Sequence, residues 1–204
     1  MFDLDRYAPR LLALHDHICP RQVLGLRMAE HAAAALGLEL PREDKRLIAF
    51  VEMDGCFADG VMVASGCSMG HRTLRLVDEG KIAATFVDTR TRRALRVWPR
   101  ADARVRALAA QPGAKSRWHA QFEAYQCLPV AELLQMREVA LALDLDALIS
   151  RNGLRVICDR CGEEITNARE LHVQGETLCR SCAGQSYIRA HSVAEPARIP
   201  VAVA

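Results

Sequence analysis

Lysine is nearly missing from this 204-residue chain, which has three lysines against 24 arginines. Such a bias scatters arginine widely, so a local cluster of it says less about nucleic acid than usual. Residues 81–117 hold ten Lys/Arg against only Asp88 and Asp102, a local excess of +8, while the whole chain carries +2. Rings for base stacking are scarce there too: Phe86, Trp98 and the flanking Trp118. A solvated basic face is therefore expected, and nucleic acid is not an expected partner. No apolar run approaches the roughly 20 residues that span a bilayer, so no membrane span is expected. The opening Met1-Phe2-Asp3-Leu4-Asp5-Arg6 puts acids where a secretory leader needs basic and then apolar residues, which predicts a cytoplasmic protein. Evident nucleotide loops, iron–sulfur cysteine runs and internal repeats are also missing.

Cysteine, by contrast, is plentiful, with eight residues. Half of them form one pattern: Cys158, Cys161, Cys179 and Cys182, spaced C-x2-C-x17-C-x2-C. Two close pairs joined by a hairpin-length insert can present four thiolates at the corners of a tetrahedron, the geometry and softness that Zn2+ prefers. Gly162 after the first pair lets the chain turn its N–H groups toward the sulfurs. The second pair should open a terminal helix. A structural zinc is expected, and metal binding would supply much of the module's stability. The other cysteines flank histidines or glycines, a pattern that predicts a reducing compartment rather than a disulfide framework.

Hydrophobic content of 50% supports a real core. Apolar spacing predicts a helix over residues 4–15. Pro20 opens a second helix, over 21–36, closed by Gly37 and carrying a small-residue face of Ala29, Ala32, Ala33 and Ala35. Residues 46–52 read as a buried strand, and 57–65 as a short helix ending at Gly66. Residues 73–77 and 82–87, joined by Asp78-Glu79-Gly80, read as a β-hairpin, with 94–98 a third strand candidate closed by Pro99. Helices resume at 101–110 and 118–125, and Pro129 opens another through about 143. This order predicts an α+β fold, helices packed on a small, mainly antiparallel sheet. The expected domains are a core over 1–150, a linker at 150–153, a four-cysteine module over 154–190 and a flexible tail over 191–204.

Chemistry in the core would draw on three separated pieces. They are His15-Asp16-His17-Ile18-Cys19-Pro20, Asp54-Gly55-Cys56-Phe57-Ala58-Asp59-Gly60 and Ser65-Gly66-Cys67-Ser68-Met69-Gly70-His71. His15, His17 and Cys19 alternate, so an extended segment could turn all three the same way. Cys19 lies where a helix start favours a thiolate, and Cys56 and Cys67 lie at element ends beside glycines. A histidine with two or three thiolates and one open position would make a reactive mononuclear site. Core packing of Cys56 and Cys67 remains the alternative, and lone Cys127 reads as core packing.

These same pieces, His15-x-His17-x-Cys19-Pro20, Glu52-x-Asp54-x-Cys56-x-x-Asp59, Gly66-Cys67-Ser68-x-Gly70 and then Gly80-Lys81, resemble the FmdE family, the E component of formylmethanofuran dehydrogenase, over about residues 11–89. The four-cysteine segment is similar to the treble-clef zinc finger appended to some members. The resemblance implies an α+β core, homodimerisation and a cleft holding a transition metal (zinc, nickel or another). That cleft would use His17, Cys56 and Cys67, with Cys19 and His15 close by and Asp59 handling protons. Two positions depart from the family pattern. Arg21 replaces a glycine, and would either meet a small anion such as a carboxylate or oxyanion at the cleft mouth or face outward from its helix. His71 replaces a lysine, giving a titratable group or an extra ligand.

The leading functional expectation is a metal-binding accessory protein for a molybdenum or tungsten oxidoreductase in one-carbon metabolism. One alternative is a stand-alone metalloenzyme in which Asp59 or His71 moves protons. The other is a docking module, for protein rather than nucleic acid, because Glu163, Glu164, Glu170 and Glu176 offset the arginines of the cysteine segment.

Overall fold

Proline and glycine punctuate the computed structural model, which describes residues 2–150 and 153–189, much as they punctuate the sequence. Residues 1–142 and 143–204 form two compact units. In the first, a short helix α1 (Ala8–Leu12) precedes α2 (Pro20–Leu36), which begins on Pro20 and stops where Gly37 turns left-handed at φ 68°. Strand β1 (Leu47–Val51) is buried throughout, and α3 (Cys56–Ser65) leads to β2 (Leu74–Leu76). Then come β3 (Ala84–Asp88), β4 (Ala94–Pro99), α4 (Ala103–Ala110), α5 (Arg117–Cys127), a single turn α6 (Val130–Leu133) and β5 (Leu134–Val139). The α+β architecture is as expected.

Two sequence expectations for the strands and helices of the first unit's sheet region fail for identifiable reasons. Residues 73–77 and 82–87 do not pair as a hairpin. The sheet order is β2-β1-β3-β4-β5, with β1 between them: β2 runs parallel to β1 and the other pairs are antiparallel. A strand apolar on both faces takes an interior position with two neighbours, and α3 supplies the crossover a parallel pair needs. The Asp78–Lys81 bend then crosses the end of β1, where Glu79 and Lys81 donate their N–H groups to the Glu52 carbonyl. The helix expected from Pro129 to about residue 143 lasts one turn. Beyond it, Leu134 and Met136 face the core and Gln135 and Arg137 face out, a period of two that completes the sheet beside β4.

The helices α2 and α3 cross with almost nothing between their backbones. A Cβ on Gly25 would lie 2.8 Å from Val61 N and run into the Phe57 carbonyl, and one on Gly60 would run into the Gln22 carbonyl. Only glycine permits that approach. It holds the start of α3 beside the first turns of α2. Arg27, 6% exposed, donates from Nη1 to the carbonyls of Tyr125 and Leu128, both at 2.7 Å, and so caps the end of α5. Buried Asp88 receives the Arg46 fork at 3.1 and 3.0 Å. Burial alone would raise its pKa, but Arg46 and the Arg90 N–H outweigh that and bring it down to about 2.

The second unit holds α7 (Leu145–Ser150) and two hairpins, β6 (Arg155–Ile157) with β7 (Glu164–Thr166) and β8 (Leu171–Val173) with β9 (Glu176–Leu178). Around the hairpins the buried cluster is Cys158, Ile165 and Leu178, and the only other buried residue among those described in this unit is Leu145 on α7, too small a core to hold hairpins of three-residue strands unaided. In place of the expected terminal helix there is one wide turn, Ser181–Gln185, containing left-handed Gly184. The tail over 191–204 lies outside the described residues, as does part of the expected linker.

Candidate metal centre and an arginine-lined cleft

The thiols of Cys158, Cys161, Cys179 and Cys182 all lie within 4.8 Å of one another. The 3.9 Å between Cys161 Sγ and Cys179 Sγ is close to the edge, about 3.8 Å, of a tetrahedron with Zn–S bonds of about 2.3 Å. Each half of the knot is tied locally. Asp159 exchanges backbone and side-chain hydrogen bonds with Thr177 on β9, and Gly162, at φ 74°, donates to the Cys158 carbonyl. Cys179 N–H points at Cys158 Sγ at 3.3 Å, and Cys182 N–H at Cys179 Sγ at 3.4 Å. The N–H groups of Cys161 and then Cys179 lower the Cys158 thiol to about 6, whereas the neighbouring Cys179 thiol and burial push Cys182 up to about 12. Crowded sulfurs with N–H groups aimed at them fit a dication that neutralises several thiolates at once.

The core chemistry residues separate into different places. Cys19, at the start of α2, and Cys56, the first residue of α3, line one cleft of about 590 Å³ together with Arg21. Gln22 Oε1 accepts the Cys19 N–H at 2.7 Å and secures that helix start. Burial, then the neighbouring Cys19 thiol, push the Cys56 thiol up. Cys67 does not join them. Gly66 turns left-handed at φ 77°, and Cys67 becomes fully buried with its Sγ donating to the Leu47 carbonyl at 3.4 Å. It lines a separate cavity of about 330 Å³ with His71, and burial raises its pKa. His15 Nε2 meets Asp59 Oδ2 at 2.7 Å, while His17, 61% exposed, meets Asp16 at 2.7 Å. Among the described residues the terminal four cysteines are the only set of three or more His/Cys/Asp/Glu side chains whose ligand atoms come together so closely. Cys127 is exposed at the end of α5, contrary to the core position expected for it.

What the sequence reasoning missed is the far wall of the cleft. Arg100 and Arg104 line it with Trp118, Gln121 and Tyr125. A signal was present: positions 118, 121 and 125 recur at helical spacing and form one stripe of α5.

A family model described as "FmdE, Molybdenum formylmethanofuran dehydrogenase operon" matches residues 14–142. The chain belongs to the FmdE family. A second model, the prokaryotic dksA/traR C4-type zinc finger, matches residues 153–187 and covers all four clustered cysteines. A probable S-adenosyl-L-methionine-binding protein of Archaeoglobus fulgidus is 37% identical over 102 residues, which span 48% of this chain but 28% of that relative. The fold resembles that of a tungsten formylmethanofuran dehydrogenase FmdE-like protein from Syntrophus aciditrophicus, with a TM-score of 0.58 and 22% identity over 91% of this chain and 94% of that one. FmdE membership and the four-cysteine cluster together support a metal-binding accessory role.

Proposed function

We propose that this FmdE-family protein handles a soft metal, or a cofactor bearing one, for a molybdenum or tungsten oxidoreductase, using Cys19 and Cys56. The observation that carries this reading is two adjacent thiols, from the starts of two helices, on the wall of an open cleft. Two thiols are too few for a closed structural zinc site. They fit a zinc, nickel or other transition ion that arrives with ligands of its own. In the same proposal the four-cysteine module is a treble-clef-like scaffold holding structural Zn2+, and the protein acts in the cytoplasm as a homodimer. The test is metal analysis of full-length protein purified without added metal and then loaded with zinc or nickel. One metal per chain should resist dialysis, and a second, weaker equivalent should disappear in the Cys19→Ser/Cys56→Ser double variant. Identical stoichiometry in both proteins after loading would sink the reading.

The His15–Asp59 pair favours a second reading, an enzyme whose cleft metal activates water while that pair moves the proton. Cobalt-loaded protein should then show a pH-dependent visible spectrum that changes in Asp59→Asn. A spectrum insensitive to pH and small anions removes this alternative.

A further inference from the structure

We propose that the arginine end of the cleft binds a flat heteroaromatic ring carrying a phosphate, with the phosphate on Arg21, Arg100 and Arg104 and the ring beside Trp118. This goes beyond the metal-handling reading and holds whether or not a metal sits on Cys19 and Cys56. Charge comes first. Three guanidiniums line the cleft and no carboxylate does. Among the described residues Arg21 has no hydrogen-bond or ion-pair partner, and the Arg104 side chain reaches the neutral Tyr125 hydroxyl. Arg100 is paired with Asp102, and Arg106, which also meets Asp102, has Glu132 besides, so the charge left uncompensated in the cleft is that of Arg21 and Arg104. Guanidinium forks match phosphate oxygens, and three of them exceed what the two oxygens of one carboxylate can use.

Size and shape narrow the class. A cleft of about 590 Å³ falls in the range of small-molecule sites, roughly 300–1,000 Å³, and an inorganic anion would leave most of it to water. Trp118 is 40% exposed and its ring is backed by Phe122 at 5.3 Å, nearly parallel at 11°, a braced platform for stacking. Gln121 Oε1 accepts from the Tyr125 hydroxyl at 3.4 Å, leaving the Gln121 amide N–H groups for an acceptor on a ring edge. S-adenosyl-L-methionine fits less well. Its sulfonium and ammonium cations would lie among guanidiniums with no lining carboxylate to meet them.

The experiment uses full-length protein carrying Trp98→Phe, which leaves Trp118 as its one tryptophan. Fluorescence is followed during titration with AMP, GMP, adenosine, guanosine, S-adenosyl-L-methionine and inorganic phosphate. At least one nucleotide should quench Trp118 saturably, with its nucleoside binding at least about tenfold more weakly. Arg21→Gln and Arg104→Gln, both at exposed positions, should each weaken that nucleotide about tenfold. Cys19→Ser/Cys56→Ser should retain binding, which separates this site from the metal site if the metal reading fails. No saturable quenching by either nucleotide, a nucleoside as tight as its phosphate, or S-adenosyl-L-methionine binding more tightly than AMP would each overturn the proposal.

Discussion

The two units assemble their sites by opposite routes. In residues 143–204, four sulfurs come together through two short knuckles and two hairpins, and nearly every bond that aims them lies within the segment 158–182. In residues 1–142, Cys19 and Cys56 meet because two helices cross on Gly25 and Gly60, while the arginines and aromatics of the opposite wall come from α4, the turn before it, and α5. The first site is an organising core in its own right, since the unit buries little else. The second sits on a domain that already has Phe57, Phe86, Leu26 and Leu47 packed beneath it. A metal should therefore be needed for folding in one place and optional in the other.

Stripping metal tests that contrast with the largest effect. Structural zinc contributes about 10–16 kcal/mol in small finger modules. Chelation, or Cys158→Ser with Cys179→Ser, should unfold residues 153–189 while the sheet of the first unit persists. Amide hydrogen exchange resolves the two: full exchange in β6–β9 with protection retained in β1 and β3 is expected, and loss of both together would break the comparison.

Gly60→Ala should reverse the pattern at about 3 kcal/mol, because the new methyl drives into the Gln22 carbonyl at the helix crossing. Urea unfolding should show the core weakened while one zinc per chain is kept. The second metal equivalent should also weaken as Cys56 moves off Cys19. Unchanged stability would mean that the crossing can relax.

How much of this is legible in the sequence follows from the same contrast. The zinc knot can be read directly because its ligands are spaced locally. Helix limits at Pro20, Gly37 and Gly66 can be read for the same reason. The β2–β3 hairpin is a false reading because Asp78-Glu79-Gly80 is good turn chemistry, whereas pairing is decided by β1, which is buried enough to take a neighbour on each side. The stretch from Leu134 reads as helix because Pro129 begins one and only the partner strand β4 ends it. Cys67 resembles Cys56 in its glycine-flanked setting, and each follows a glycine at φ 77°; they part because Cys56 opens α3 while Cys67 follows its end, where its thiol meets the Leu47 carbonyl of β1. Arg100 and Arg104 are lost in a general excess of arginine. Their meaning depends on what α5 brings opposite.

Asp88 gives a smaller, pH-dependent test confined to the first unit. Its folded pKa is about 2, below the ordinary 3.8, so its contribution is fully present above about 3.8 and fades as pH falls through about 2. Asp88→Asn should cost about 2 kcal/mol at neutral pH by removing the charged partner of Arg46. It should also flatten the acid limb of the stability curve below pH 4. An acid limb of the same slope in both proteins would assign the acid sensitivity elsewhere.

The finest comparison is between two arginines of one helix. Arg27 is buried and donates to the Tyr125 and Leu128 carbonyls, so Arg27→Gln should cost about 2 kcal/mol by leaving the end of α5 uncapped. Arg21 has the same charge, yet it stands exposed at the cleft mouth. Arg21→Gln should change stability by no more than about 0.5 kcal/mol. A thermal shift for Arg21→Gln as large as that for Arg27→Gln would make Arg21 a structural residue. A negligible shift frees its charge for whatever anion enters the cleft, since a guanidinium with no partner among the described residues costs the protein nothing to redirect.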